Sequence, residues 1–331
     1  MEKEKIIDSL KGVAGKTTEA AKNVGKKTGE IAKSAGTKTA DLAKKSKDTA
    51  VNAIDQNGDG KIDIEDIIIL GLKTPGVKIN RADYLRKEFS KNHPKEVVDD
   101  IISNNPSHAN IDSKEVDKVA NEVIKYERIC VSGISTALGM PGGAAMAAAI
   151  PADIAQYYGY MLRAAQKLMY LYGFPEINLQ EKGQVFDTET LNVLTLCLGA
   201  MYGAAGANNA VKVMAKGLAT GVPKQLMKKA LTKGTLYPIV KSISKWFGTK
   251  MTKEVFTGFV GKSIPVVGGI VGGGITFATF KPCCDKLKAT LQDTMLSNPN
   301  HVETQEEAEI ILEAEVADLT EEVEESEEID E

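Results

Sequence analysis

The chain is poor in the residues that most often carry enzyme chemistry. Its three histidines, His93, His108 and His301, lie apart from one another, outside the main motifs. The four cysteines, Cys130, Cys197, Cys283 and Cys284, contain no CxxC pair, and two adjacent cysteines do not readily bridge each other. Neither a disulfide framework nor a zinc site is expected. No GxxxxGK[ST] loop is present, and the glycines at 268–274 do not follow a strand, so no dinucleotide fingerprint is expected either. Aromatic residues make up 5% of the chain and are missing from its lysine-rich beginning. That excludes a base-stacking platform, and no nucleic-acid partner is expected. A basic n-region followed by an apolar h-region and a cleavage site is also missing, so a cytoplasmic protein, extending at most to the inner face of the membrane, is the expectation. Strand-like alternation persists nowhere. With abundant Ala and Gly, an all-α fold of closely packed helices is predicted.

Positive charge is missing altogether from 303–331, where 15 Asp and Glu stand without a Lys or Arg. All 41 Lys and Arg precede residue 303, together with 30 of the 45 Asp and Glu, leaving a net charge of +11 on the remainder. This basic body with an acidic tail (303–331) is hidden by the overall charge of −4.

The basic beginning, 1–54, is an internal repeat. Units 11–21 (KGVAGKTTEAA), 22–32 (KNVGKKTGEIA), 33–43 (KSAGTKTADLA) and 44–54 (KKSKDTAVNAI) follow at a period of 11. Eleven residues complete about three helical turns, so each column of the repeat keeps its place on the helix surface. Val13, Val24 and Ala35 then share an arc with Ala20, Ile31 and Leu42, flanked by Lys11, Lys22, Lys33, Lys44 and Lys16, Lys27, Lys38. Lysines at such a boundary extend toward lipid phosphates while their stems cover apolar surface. The pattern resembles the 11-residue repeats of late-embryogenesis-abundant proteins. The thin apolar face and five glycines equally suit a solvated linker that is helical only when bound.

Residues 55–66 read DQNGDGKIDIED. Calcium takes six to eight hard oxygen ligands on a sharply turned backbone. Asp55, Asn57 and Asp59 offer side-chain oxygens at alternate positions, Gly60 the turn, and Lys61 its main-chain carbonyl. Asp63 binds directly or through water, and Asp66 closes the loop as the last, bidentate carboxylate. Ile62 stands where such loops place a residue that bridges to a partner hand. Ending on Asp rather than Glu, the loop resembles EF-hand and dockerin calcium loops, with an expected dissociation constant of about 10⁻⁶ to 10⁻³ M. The segment Ile79-Asn80-Arg81-Ala82-Asp83-Tyr84-Leu85 echoes Ile62-Asp63-Ile64-Glu65-Asp66-Ile67-Ile68. A degenerate second hand, with Ile79 bridging Ile62 and no second ion, is therefore expected in a calcium-binding unit over 55–106.

The main helical domain is expected over 113–296. Helical patterns run through Val116, Val119, Val123 and Ile124, then over 152–173, 188–221, 223–233, 237–247, 252–261 and 265–295. Two uncharged stretches stand out: 134–151, and the 18 residues 263–280 between Lys262 and Lys281. Both are short or poor in transfer energy for a membrane span. They are expected as buried core helices, with reversible membrane insertion as the alternative. Asp153, Gln156, Tyr157, Tyr160 and Arg163 recur at helical spacings. An Asp–Arg pair there reads as a structural ion pair more readily than as catalytic groups. The tail is expected to form one amphipathic helix to about residue 324.

The segments Leu138-Gly139-Met140-Pro141-Gly142-Gly143, Ile150-Pro151-Ala152-Asp153-Ile154, Met161-Leu162-Arg163-Ala164-Ala165-Gln166-Lys167-Leu168-Met169-Tyr170-Leu171-Tyr172-Gly173 and Ile264-Pro265-Val266-Val267-Gly268-Gly269 resemble the bacterial EcsC family over about residues 115–290. The resemblance implies a helical domain and a bacterial source, and no reaction. The functional expectation is a non-enzymatic, calcium-binding protein that associates with an anionic membrane surface or a membrane-protein partner. A protein-interaction adaptor with a structural calcium, and an enzyme of unknown reaction, are the alternatives. Oligomeric state is not readable from the sequence.

Overall fold

The computed structural model describes residues 54–59, 62–139, 144–179, 186–260 and 267–310, all within one compact unit, 50–331. The 11-residue repeat before Ile54, Gly60 and Lys61 of the calcium loop, and the tail beyond Ile310 lie outside the described residues. Besides the helical residues 305–310, the described residues form ten helices and no strand, so the fold is all-α. They are α1 (Ile64–Leu72), α2 (Arg81–Phe89), α3 (Lys95–Ser103), α4 (Ser113–Gly139), α5 (Ala144–Leu171), α6 (Thr188–Tyr202), α7 (Ala207–Ala219), α8 (Lys224–Thr232), α9 (Leu236–Val260) and α10 (Val267–Gln292).

The three longest helices, α4, α5 and α10, pack side by side. Their polar pairs fix the directions. Glu127 meets Arg163 and Lys167, Asp117 meets Tyr172, and Ser135 meets Asp153, so α4 and α5 are antiparallel. Lys288 reaches Asn121, and Arg128 reaches the Phe277 carbonyl, so α4 and α10 are antiparallel too. Tyr157 touches Thr279 and packs edge-on against Phe280, which sets α5 parallel to α10. The helices α6 to α9 complete the body, with Cys197, Met201, Val211, Ile243 and Phe247 buried between them.

Several elements depart from the expected pattern. The stretch 188–221 is two helices, because Gly203 and Gly206 both take left-handed backbone (φ 74° and 76°) that residues with a Cβ rarely adopt. In the other direction, 237–247 and 252–261 fuse into one helix, α9. Helix α5 begins at Ala144 and runs through Pro151, although proline brings no N–H to the helical ladder. The expectation that 263–280 is wholly buried core fails for its described part, where only Thr276 and Phe280 are buried and Ile275, Phe277 and Thr279 are exposed.

The segments expected as separate units, 55–106 and 113–296, share one hydrophobic core running from Ile54 to Leu291. Their junction is a close crossing of α1 and α5. A Cβ on Gly71 would stand 2.9 Å from Leu162 Cδ1 and 3.1 Å from the Gly159 nitrogen. One on Gly159 would meet Val77 Cγ2 at 3.0 Å and the Gly71 carbonyl at 3.2 Å. Two facing glycines therefore let the backbones approach closely.

Candidate calcium loop

The loop leaves Ile54, which is buried, and passes Ile62, which packs against the same core, before entering α1. Between these anchors the side-chain oxygens turn the backbone on itself. Asp55 Oδ1 accepts from the Gly58 N–H (2.7 Å), and Asn57 Oδ1 accepts from the Asp59 N–H (3.0 Å). Gly58 takes left-handed backbone, φ 77°. Asp63 is the N-cap of α1, accepting from the N–H groups of Glu65 (2.8 Å) and Asp66 (3.2 Å). Asp66 completes a capping box by accepting the Asp63 N–H through Oδ2 at 3.0 Å.

Asp66 also reaches the far side of the loop. Its Oδ1 accepts from the N–H groups of Gln56 (2.7 Å) and Asn57 (3.2 Å), and the residue is 0% exposed. One carboxylate thus ties the start of the loop to the first turn of α1. Lys73, just past the end of α1, donates to Gln56 Oε1 at 2.9 Å and holds the same part of the loop.

The electrostatics favour a cation. Burial raises the Glu65 pKa, and the negative charges of Asp63, Asp66 and Asp59 raise it further. Burial likewise lifts Asp66 above the usual carboxylate range, although its three backbone donors pull the other way. Several hard oxygens, on a loop bent by a left-handed glycine and sharing a negative field, suit calcium in donor type. Their arrangement is nonetheless inward. Among the described residues no three His, Cys, Asp or Glu side chains gather as a metal-holding group. The oxygens are turned to the loop's own N–H groups: Asp55 Oδ1 and Asn57 Oδ1 each accept from one, and Asp63 Oδ1 and Asp66 Oδ1 each accept from two. An ion would share or compete for these acceptors.

The expected second hand has no β-bridge to support it. Neither Ile62 nor Ile79 is in a bridge, and the backbone of Ile79 is held by α5: its N–H donates to Gln166 Oε1 (3.1 Å) and its carbonyl accepts from the Tyr170 hydroxyl (3.4 Å). Arg163 donates to the Gly76 carbonyl and Gln166 to that of Val77, both at 3.0 Å. Residues 74–79 are a strap bound to α5. Arg81, in the echo of the first hand, is a buried clamp whose guanidinium donates to the carbonyls of Phe174 (3.0 Å), Ile102 (2.6 Å) and Asn104 (2.7 Å).

The other candidate residues do not assemble into the anticipated Asp153–Arg163 pair. Asp153 accepts from Ser135 Oγ at 3.0 Å, whereas Arg163 Nε donates to Glu127 Oε1 at 3.0 Å. Glu127 is wholly buried and also receives Lys167 Nζ at 2.6 Å. The true partner lies 36 residues before Arg163, on another helix, where no local spacing signals it. The histidines stay apart, His93 against Glu115, His108 against Asp100 and His301 between Asp293 and Glu307. No described helix is long and apolar enough to cross a membrane. No family model, no curated protein and no solved structure matches the chain.

Proposed function

We propose that this is a calcium-binding, non-catalytic helical protein that associates with a membrane surface, the ion being taken by the loop 55–66. The observation that carries the proposal is the donor set itself. Asp55, Asn57, Asp59 and Asp63, with the Lys61 carbonyl and Asp66, supply hard oxygens on a turned loop built directly onto the capping box of α1. Helix α1 crosses α5 at the facing glycines Gly71 and Gly159, so order gained in the loop is transmitted to the body. The resemblance of residues 115–290 to the EcsC family belongs to the same reading, as does the lysine-edged repeat as a ligand for anionic lipid.

Asp66 makes the test discriminating. As a clasp it stabilises the loop with or without an ion, so Asp66→Ala costs about 1 kcal/mol through the part-buried N–H groups that lose their acceptor. Asp55→Ala with Asp59→Ala removes ligands from the more exposed part of the loop and acts mainly on ion affinity. Calorimetric titration of the full chain with calcium is expected to show one site, lost in the Asp55/Asp59 variant. Two ions per chain, or unchanged binding in that variant, would overturn the assignment. Co-sedimentation with anionic vesicles, with and without calcium, tests the membrane part.

A further inference from the structure

Distant stretches of chain converge where α5 ends. Gly173, just past that helix, takes left-handed backbone (φ 97°). A Cβ there would stand 3.2 Å from Leu296 Cβ and 3.4 Å from Asn105 Cβ. The loop after α3, the start of α4 and the ends of α5 and α10 leave between them a cavity of about 320 Å³. That is near the lower end of the range for small-molecule sites. Ile111, Val116, Leu171 and Leu296 give it apolar walls.

Among the described residues that line it, Asp117 alone is charged. Two donors fix its carboxylate: the Tyr172 hydroxyl, just past α5, and Nε2 of Gln292, the last residue of α10, both bind Oδ1 at 2.7 Å. A carboxylate only accepts, so Gln292 turns its NH2 group to Asp117 and keeps Oε1 as a further acceptor. Among the described residues Oδ2 of Asp117 takes no hydrogen bond, and no cation pairs with this half-buried side chain. The buried carboxylates elsewhere in the body do have cations: Glu127 has Arg163 and Lys167, and Glu307 has Lys212. Two nearby features would suit an anion instead, and neither reaches the cavity. At the start of α4 the N–H groups of Lys114 (2.9 Å), Glu115 (2.9 Å) and Val116 (3.2 Å) all donate to Asp112. Lys114 and Lys118, beside Asp117 on α4, are exposed and take no part in the cavity wall.

We infer that this cavity binds a small organic ammonium, with its charged end on Asp117 and Gln292 and its apolar body against Ile111, Val116, Leu171 and Leu296. An ammonium brings a positive charge and several donors to a place that offers a carboxylate oxygen and an amide oxygen. The apolar walls suit a hydrocarbon, and a single carboxylate is too few for a divalent metal. Asp117 already joins the ends of α4, α5 and α10, so a ligand there would hold the native bundle together more firmly. The site is separate from the calcium loop and from any membrane contact, and it stands or falls without them.

The test follows the methyl NMR signals of the full chain at neutral pH with three probes of similar shape: phenethylamine, the uncharged 2-phenylethanol and the anionic phenylacetate. Phenethylamine is expected to shift the methyls of Ile111, Val116, Leu171 and Leu296 and to bind at least about tenfold tighter than the other two. It should also raise the Tm, as a ligand of the native state does. Asp117→Asn keeps an acceptor for Tyr172 and Gln292 but loses the charge, and should abolish the preference for the amine over the alcohol. The order of the three probes on the unaltered chain needs no variant, so it decides the matter if Asp117→Asn does not fold. Equal binding of amine and alcohol, tighter binding of phenylacetate, or a preference that survives in folded Asp117→Asn would each overturn the inference. So would the absence of any shift at these four residues with phenethylamine at about 10 mM, since a ligand this small is expected to bind in the millimolar range.

Discussion

The two ends of the α4–α5–α10 bundle are built on different principles. From the middle of α4 inward, the helices are registered by buried polar groups. Glu127 binds Arg163 and Lys167, and Asp117 accepts from the Tyr172 hydroxyl and Gln292 Nε2, each at 2.7 Å. Toward the outer end α4 carries no charge beyond Arg128, its Ser135 donates to Asp153 of α5, and Ile129, Ile275 and Phe277 are exposed. Buried ionic groups tolerate little displacement, because each loses its partner when a helix slides. Small and apolar residues tolerate more. The difference teaches that the register of the helices is set where their polar groups are buried, and that exposed Ile129, Ile275 and Phe277 take little part in it.

The sharpest way to break this contrast is at Glu127. Its Oε1 serves two cations, while Oε2 has no hydrogen-bond partner among the described residues. Glu127→Ala strands Arg163 and Lys167 in a largely buried site. A loss of about 3 kcal/mol is expected in equilibrium denaturant unfolding, at the lower end for broken buried pairs because both cations keep some exposure. A loss below about 1 kcal/mol would mean that the inner end is not held by its charges.

What was legible in the sequence was whatever depends on near neighbours. The helical class follows from periodicity, whereas the loop's turn was read at Gly60, which lies outside the described residues, and the left-handed Gly58 was not singled out. The 18-residue uncharged run could be counted directly. What required the third dimension was partnership. Arg163 was visible as a candidate, but its partner Glu127 stands on a preceding helix and nothing local selects it over Asp153. Asp66 read as a ligand because its position in the loop is right for one. Its role as a clasp depends on Gln56 and Asn57 folding back to it. Gly203 and Gly206 were within view, yet glycine is common in this chain and only the backbone shows which ones end helices. The meeting of 134–139 with 267–280 at one end could not be read from either stretch alone.

A second prediction belongs to the inner end, where the chain leaves α10. His301 lies between Asp293 Oδ1 (3.0 Å) and Glu307 Oε2 (2.8 Å), and Lys212 on α7 binds both carboxylates. Burial alone would lower the His301 pKa, but its bonds to Glu307 and Asp293 outweigh that and raise it above the usual 6.5. Burial works the other way on Glu307, and its bonds to His301, Thr304 and Lys212 bring its pKa below the usual value; Asp293 is lowered by Lys212 and His301. The sign follows for each. The His301 contribution is complete below about pH 6.5 and fades as pH rises through its raised pKa, while the carboxylate contributions fade as pH falls through their lowered ones. Protection of 301–310 in hydrogen exchange is expected to be greatest in the mildly acidic range between. His301→Gln should remove the fall on the alkaline side of that maximum, and NMR titration should place the imidazole above 6.5.

The smallest expected effect on stability is the one that sharpens the comparison most. Ile129→Ser, Ile275→Ser and Phe277→Ser change three large apolar side chains on the helices that Glu127 helps to register. Substitutions at exposed positions usually shift stability by no more than about 0.5 kcal/mol each. Phe277 is the one with a partner to lose, the Arg128 guanidinium over its ring. The triple variant is therefore expected to unfold within about 1.5 kcal/mol of the unaltered chain, well short of the Glu127→Ala loss. A greater loss, measured in the same denaturant titration, would mean that these side chains hold the bundle together, and the division of labour between the two ends would not stand. A small one would leave them on the surface with no structural task.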